Sequence, residues 1–140
     1  MREIYKSIPI ETFSDVRVVS CIIRTVAQRI NFANFDIANL QLASAEISTN
    51  ILKYASSGNV SIYVGCDSNE IRLVFEDDGP GIKFPQLALL DGYTTFHEAS
   101  LGIGLGAANR SVDQLILKNL KPNGLRVCLV KRLGRRSSTV

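Results

Sequence analysis

The stretch E-I-R-L-V-F-E-D-D-G-P-G-I, residues 70–82, decides how the rest of the chain is read. Its first part, Glu70 to Glu76, holds an apolar run from Ile71 to Phe75 and predicts a strand. Acid, glycine, proline and glycine then follow, which is how a strand stops and turns sharply beside a ligand. Immediately upstream, Val60 to Cys66 predicts a second strand, joined to the first through the hairpin-like turn D-S-N, residues 67–69. Before that pair comes a helix expected from Phe35 or Asp36 to Ser57-Gly58, with Leu40, Ala43, Ile47 and Ile51 facing inward and Gly58 supplying a left-handed cap. On this helix lies E-I-S-T-N, residues 46–50, which sets Glu46 and Asn50 at i and i+4, on one face about 6 Å apart. A carboxylate and an amide so placed can serve a nucleophile and a metal at once.

Further out, Glu3 to Ile10 predicts a first strand, with Ile4, Ser7 and Pro9 leaving its register open. A first helix is expected from a cap at Ser14 or Asp15 to about Ile30, with Val18, Ile22, Val26 and Ile30 on its inner face. Downstream of residue 82, a lid-length loop from Lys83 to Leu101 carries Pro85, Gly92, Tyr93 and His97. G-I-G-L-G, residues 102–106, then has glycine at every second position before Ala107 to Val112, and predicts bare backbone N–H groups at the N-terminus of a helix from Gly104 to Gln114, where phosphates bind. Strands near Gln114 to Leu120 and Leu125 to Arg132 flank the turn K-P-N-G. The expected fold is a two-layer α/β sandwich, a mixed, mainly antiparallel sheet with helices on one face.

At 140 residues the chain suits one domain, expected over residues 1–134, with a short basic tail at 135–140. No apolar run approaches the ~20 residues that span a bilayer, and M-R-E-I-Y-K lacks the apolar core of a signal peptide, so a cytoplasmic protein without membrane contact is expected. Cys21, Cys66 and Cys128 are odd in number and sit in apolar segments, which predicts reduced core thiols. The net charge is +3, with Lys131, Arg132, Arg135 and Arg136 gathered at the C-terminal end, the pattern of a solvated tail. Nucleic-acid binding needs a broader basic face or stacking aromatics, and is not expected.

The three segments at 46–50, 77–82 and 102–106, in that order, resemble the GHKL ATPase superfamily with its Bergerat ATP-binding fold. Within it the chain is most similar to the small serine/threonine kinases that regulate bacterial sigma factors, of the RsbW and RsbT type. L-L-D-G-Y-T-T and L-G-I-G-L-G, between Leu89 and Gly106, are the more specific part. The resemblance implies Glu46 as general base, Asn50 as magnesium ligand and Asp77 as acceptor for the adenine amino group. It implies Gly79 and Gly81 shaping the adenine pocket, and Gly102, Gly104 and Gly106 at the phosphates. Its cofactors are ATP and Mg²⁺. Its partners are STAS-domain proteins of a stressosome and a PP2C-type phosphatase activated by binding, or a sigma factor. A non-catalytic switch module that uses ATP only conformationally is the alternative.

Several details bear on chemistry. Lys53, three residues past Asn50, can reach a phosphate, and Tyr54 is expected in the pocket wall or core. In D-x-G-x-G the glycine spacing selects Asp77 and leaves Asp78 as a solvated turn residue. A carboxylate there separates adenine from guanine, which presents a carbonyl at the same place. Leu125 stands where many family members have threonine, so weaker nucleotide binding is expected. His97 is expected in the loop without a catalytic role, because no acceptor-histidine helix precedes the Asn50 helix.

Overall fold

A computed structural model describes residues 1–83 and 99–134, with side chains omitted for 99–103. Residues 84–98 of the sequence-predicted loop, His97 among them, and the 135–140 tail lie outside the described residues, while Ala99 to Leu101, also expected in that loop, are helical. The elements run β1 Arg2–Ile10, α1 Phe13–Arg29, α2 Asn34–Tyr54, β2 Gly58–Val64, β3 Glu70–Asp77, α3 Ala99–Ser111, β4 Gln114–Asn119 and β5 Leu125–Arg132.

The five strands form one sheet in the order β1-β2-β3-β5-β4, and every neighbouring pair is antiparallel. The expected mixed sheet therefore has no parallel pairing among the described residues. The reason lies in the connections: β3 and β4 do run parallel across α3, but the β4–β5 hairpin folds β5 into the space between them. Two registered rows line the inner face, Ile62-Leu73-Leu129-Leu115 and Val60-Phe75-Val127-Leu117. Strand alternation sends these residues inward, and all but Leu117 are buried there. β1 pairs with β2 through two register shifts, with Ser7 in the second of them at φ 53°, which accounts for its irregular sequence pattern.

Helix α2 is the centre of the helical layer, packed between α1 and α3. Its inward set, Leu40, Ala43, Ile47 and Ile51, is buried as the periodicity predicts, joined by Ile37, Ser44 and Ser48. Gly58 does not cap it. The helix ends at Tyr54 with Ala55 extended, and Gly58 opens β2, where a methyl group would meet Glu76 O at 2.7 Å and Ile51 Cγ2 at 2.8 Å.

Two details of α1 also differ from expectation. Its N-cap is Thr12, whose Oγ1 accepts from Asp15 N at 3.3 Å, while Asp15 Oδ2 accepts from Thr12 N at 3.0 Å and Glu11 N at 2.8 Å. The Glu11 and Thr12 N–H groups hold the Asp15 carboxyl below its usual range. The buried face is Val19, Ile23, Val26 and Ala27, and Val18 is 50% exposed. A strict spacing of four drifts around a 3.6-residue helix, whereas i, i+4, i+7, i+8 stays on one side.

The thiols are free but not in the core: Cys21 and Cys66 are exposed, and Cys128 is half-buried on the outer side of β5, where burial raises its pKa. Lys131 and Arg132 belong to β5 rather than to a solvated tail. Lys131 Nζ lies 3.7 Å from Asp36 Oδ1 and donates to Ser111 O at 3.3 Å, tying the C-terminus of α3 to the start of α2. No helix among the described residues is long and apolar enough to cross a membrane.

Candidate functional site

Helices α2 and α3 meet where α2 carries Glu46 and Asn50. Gly104 makes that approach possible, because a methyl group there would stand 2.9 Å from Glu46 Oε2, 3.4 Å from Asn50 Nδ2 and 3.5 Å from Asn50 Oδ1. The two polar side chains expected on one face are thus together, under the backbone of α3. Asn50 Nδ2 is buried and has no hydrogen-bond partner among the described residues. An unsatisfied buried donor costs about 1–3 kcal/mol, so this amide is short of an acceptor that a ligand oxygen would supply.

The glycines of 102–106 sit differently from the sequence expectation. Helix α3 begins at Ala99, so Gly104 and Gly106 lie inside it, with their N–H groups in the helical ladder rather than bare at its N-terminus. Gly102 is the fourth residue of α3, at the close of its first turn. Each interior glycine costs roughly 1 kcal/mol against alanine, and burial of Leu105 and Ala108 against the core offsets that loss. Gly104 serves close approach to α2.

Asp77, which lines one pocket with Asn50, closes β3. Its Oδ1 accepts from Gly79 N at 2.9 Å and from Leu125 N at 3.2 Å, so Oδ2 is the oxygen left for a ligand donor. Burial pushes this carboxyl above the usual range, although both N–H donors pull it down. Between Asp77 and Asn50 the walls are apolar: Ile47, Ile51 and Tyr54 of α2, Phe75, Ile82, Leu105 of α3, and Leu125 and Val127 of β5. Leu125 therefore acts twice, through its N–H on Asp77 and through its side chain in the wall.

Gly79 and Gly81 are part of this wall. A methyl on Gly79 would come within 2.9 Å of Ala55 Cβ and 3.0 Å of Tyr54 O, and Gly81 adopts φ +77°, a left-handed conformation. Asp78 is exposed and stays out of the pocket, but it is not merely solvated: Oδ1 accepts from Ser57 N at 3.3 Å and its carbonyl from Asn123 Nδ2 at 2.6 Å. Lys53 is exposed and lines a separate shallow groove with Ser56, Asp78 and Asn123. The structure does not bring it into the Asn50–Asp77 pocket. Asn119 and Asn123 went unnoticed in the sequence; the K-P-N-G turn marks the hairpin but says nothing about where its amides reach.

Comparison with known proteins bears on this geometry. The profile of the histidine kinase-like ATPase domain matches residues 11–131. The chain is 30% identical over 112 residues to the serine/threonine-protein kinase RsbT of Bacillus subtilis (strain 168), across 79% of this chain and 83% of that one. It is 26% identical over 128 residues to the serine-protein kinase RsbW of Bacillus thuringiensis (strain Al Hakam), across 86% and 79%. Among solved structures, the RsbU and RsbW domains of Rv1364c from Mycobacterium tuberculosis match with a TM-score of 0.67 at 18% identity, over 97% of this chain and 34% of that longer one. The SiaB-SiaC complex from Pseudomonas aeruginosa matches at 0.65 and 12% identity, over 85% and 83%. The structural matches speak for the fold; the family profile and the sequence identities carry descent. This chain belongs to the histidine kinase-like ATPase family, the GHKL superfamily, in its anti-sigma-factor kinase branch.

Proposed function

We propose that the chain is a Mg²⁺- and ATP-dependent serine/threonine protein kinase whose acceptor is a hydroxyl on a STAS-domain protein, and which activates a PP2C-type phosphatase by binding it; a sigma factor is the other candidate partner. One observation carries the reading: Asn50 lines the same apolar-walled pocket as Asp77, and Glu46 lies beside Asn50 under Gly104. Family membership supports ATP as the nucleotide. The adenine amino group donates to Asp77, Gly79 and Gly81 leave room for the ring, and the phosphates lead toward Asn50 and the first turn of α3 at Gly102. Gly104 keeps α3 close to α2 behind them, and Gly106 follows it in the same helix. Lys53 lies off this path, in the separate groove beside Asp78 and Asn123.

The chemistry asked of the protein is positioning and proton removal. Glu46 takes the proton of the attacking hydroxyl as the new oxygen–phosphorus bond forms and the bond from the γ-phosphorus to the β–γ bridging oxygen breaks, leaving ADP. Such a base contributes typically ~10² to 10⁴ in rate. The residues fit a magnesium ion, since the Asn50 amide offers a neutral oxygen of the kind accepted by an ion that takes its other ligands from water and phosphate. Bound there, the ion supplies charge neutralisation of the phosphates. A cytoplasmic location goes with this role.

A second reading has a specific observation behind it. Phe13, Val18, Phe35 and Leu42 are exposed on α1 and α2, apolar side chains open to direct contact with a partner, and a module that acts by contact alone needs no transfer step. Incubation with labelled ATP, magnesium and STAS-domain proteins separates the two. The kinase gives acid-stable phosphate on the partner; Glu46→Gln keeps ATP binding and lowers transfer by ~10² or more. Asn50→Ala lowers both, with partial recovery at raised magnesium. Parent-like behaviour of both variants would reduce the chain to a binding module.

A further inference from the structure

The pocket wall from Gly79 to Ile82 belongs to no helix or strand, so no ladder of backbone hydrogen bonds fixes its shape. It is held instead from the β4–β5 hairpin. Asn119, the last residue of β4, accepts from Ile82 N through Oδ1 at 2.9 Å and donates from Nδ2 to Ile82 O at 2.7 Å. One planar amide thus engages both backbone groups of a single residue, which removes its freedom to slide and to rotate. Gly81 lies against the same amide, and a methyl there would come 2.5 Å from Asn119 Oδ1. Ile82 is buried and lines the same pocket as Leu125 and Asp77.

We infer that Asn119 is a positioning residue of the nucleotide pocket, holding Gly81 and Ile82 at the distance from Asp77 that presses a purine edge onto that carboxylate, and thereby setting the preference for an adenine over a guanine nucleotide. The inference rests on the reading of this pocket as an ATP site. Its physical basis is that a carboxylate selects an amino group over a carbonyl only when the base is confined to one pose. A wall free to recede by about 1 Å lets the base shift and weakens that selection.

Two variants test it, with ATP and GTP affinities measured by calorimetry and folding checked by circular dichroism. Asn119→Ala removes both bonds. Asn119→Asp keeps the shape and the acceptor for Ile82 N but sets a carboxylate oxygen against Ile82 O. In each, ATP affinity is expected to fall tenfold or more while GTP affinity changes less than twofold, so the ATP/GTP ratio collapses. A folded variant with the parent's ratio overturns the inference, as does an equal loss for both nucleotides. If neither variant folds, Asn119 is a residue of the fold and the positioning role is likewise overturned. A parent chain that binds no ATP defeats the functional reading itself, a result distinct from these.

Discussion

Asp77 is held in two senses at once: backbone N–H groups from Gly79 and Leu125 bind its Oδ1, and burial raises its pKa. Asp77→Ala should weaken ATP binding by about 1–3 kcal/mol, read by calorimetry, with the fold intact. Unchanged affinity would make Asp77 a turn residue only. The raised pKa has two consequences of opposite sign. The folded state holds this proton more tightly than the unfolded chain, so the stability it contributes is present below the ordinary carboxylate range and is lost as pH rises through the raised value. ATP, by contrast, needs the ionised form as acceptor, and its affinity should fall on acidification before an ordinary carboxylate would protonate. Urea titrations of the parent and Asp77→Asn across that window check the first effect, and calorimetry the second. Much of this site could be read from residue spacing, because i, i+4 on a helix and D-x-G-x-G at a strand end are local geometry. The Asn119 and Asn123 amides could not, since they act across 37 and 45 positions of sequence.

Helix ends were the least legible elements, and for a common reason. Gly58 and Gly104 both have the local signature of a helix boundary, yet each is required by another element that passes close by. For Gly58 the neighbours are Glu76 and Ile51; for Gly104 they are Glu46 and Asn50. Gly104→Ala is expected to separate stability from activity. Alanine favours the helix by roughly 1 kcal/mol, and the Glu46 carboxylate can swing away from the added methyl, so thermal unfolding should move by only a few degrees. Phosphotransfer should fall at least tenfold, because the carboxylate leaves its place. A melting temperature that drops while transfer persists would mean that this glycine serves packing alone.

The helical layer covers one face of the sheet, and the cost of disturbing a strand residue depends on which face it occupies. Leu73 sits in the inner row between Ile62 and Leu129 with no exposed surface, and Leu73→Ala should lose about 2–5 kcal/mol in urea denaturation. Val74, one residue on, faces the opposite side and is only half-buried, so its alanine variant should lose distinctly less. Equal losses would contradict the placement of the helices. Period and turn chemistry in the sequence were enough to determine the strands around residues 60–76, the central helix with Glu46 and Asn50, and the Asp77 turn. These depend on neighbours within a few residues. The order of the sheet, the start of α3 ahead of its glycines, the burial of Lys131 against Asp36 and the bracing of Ile82 by Asn119 were decided only in the tertiary structure. Apart from the helix start, each is a contact between segments far apart in sequence, and packing at long range leaves no local pattern to read.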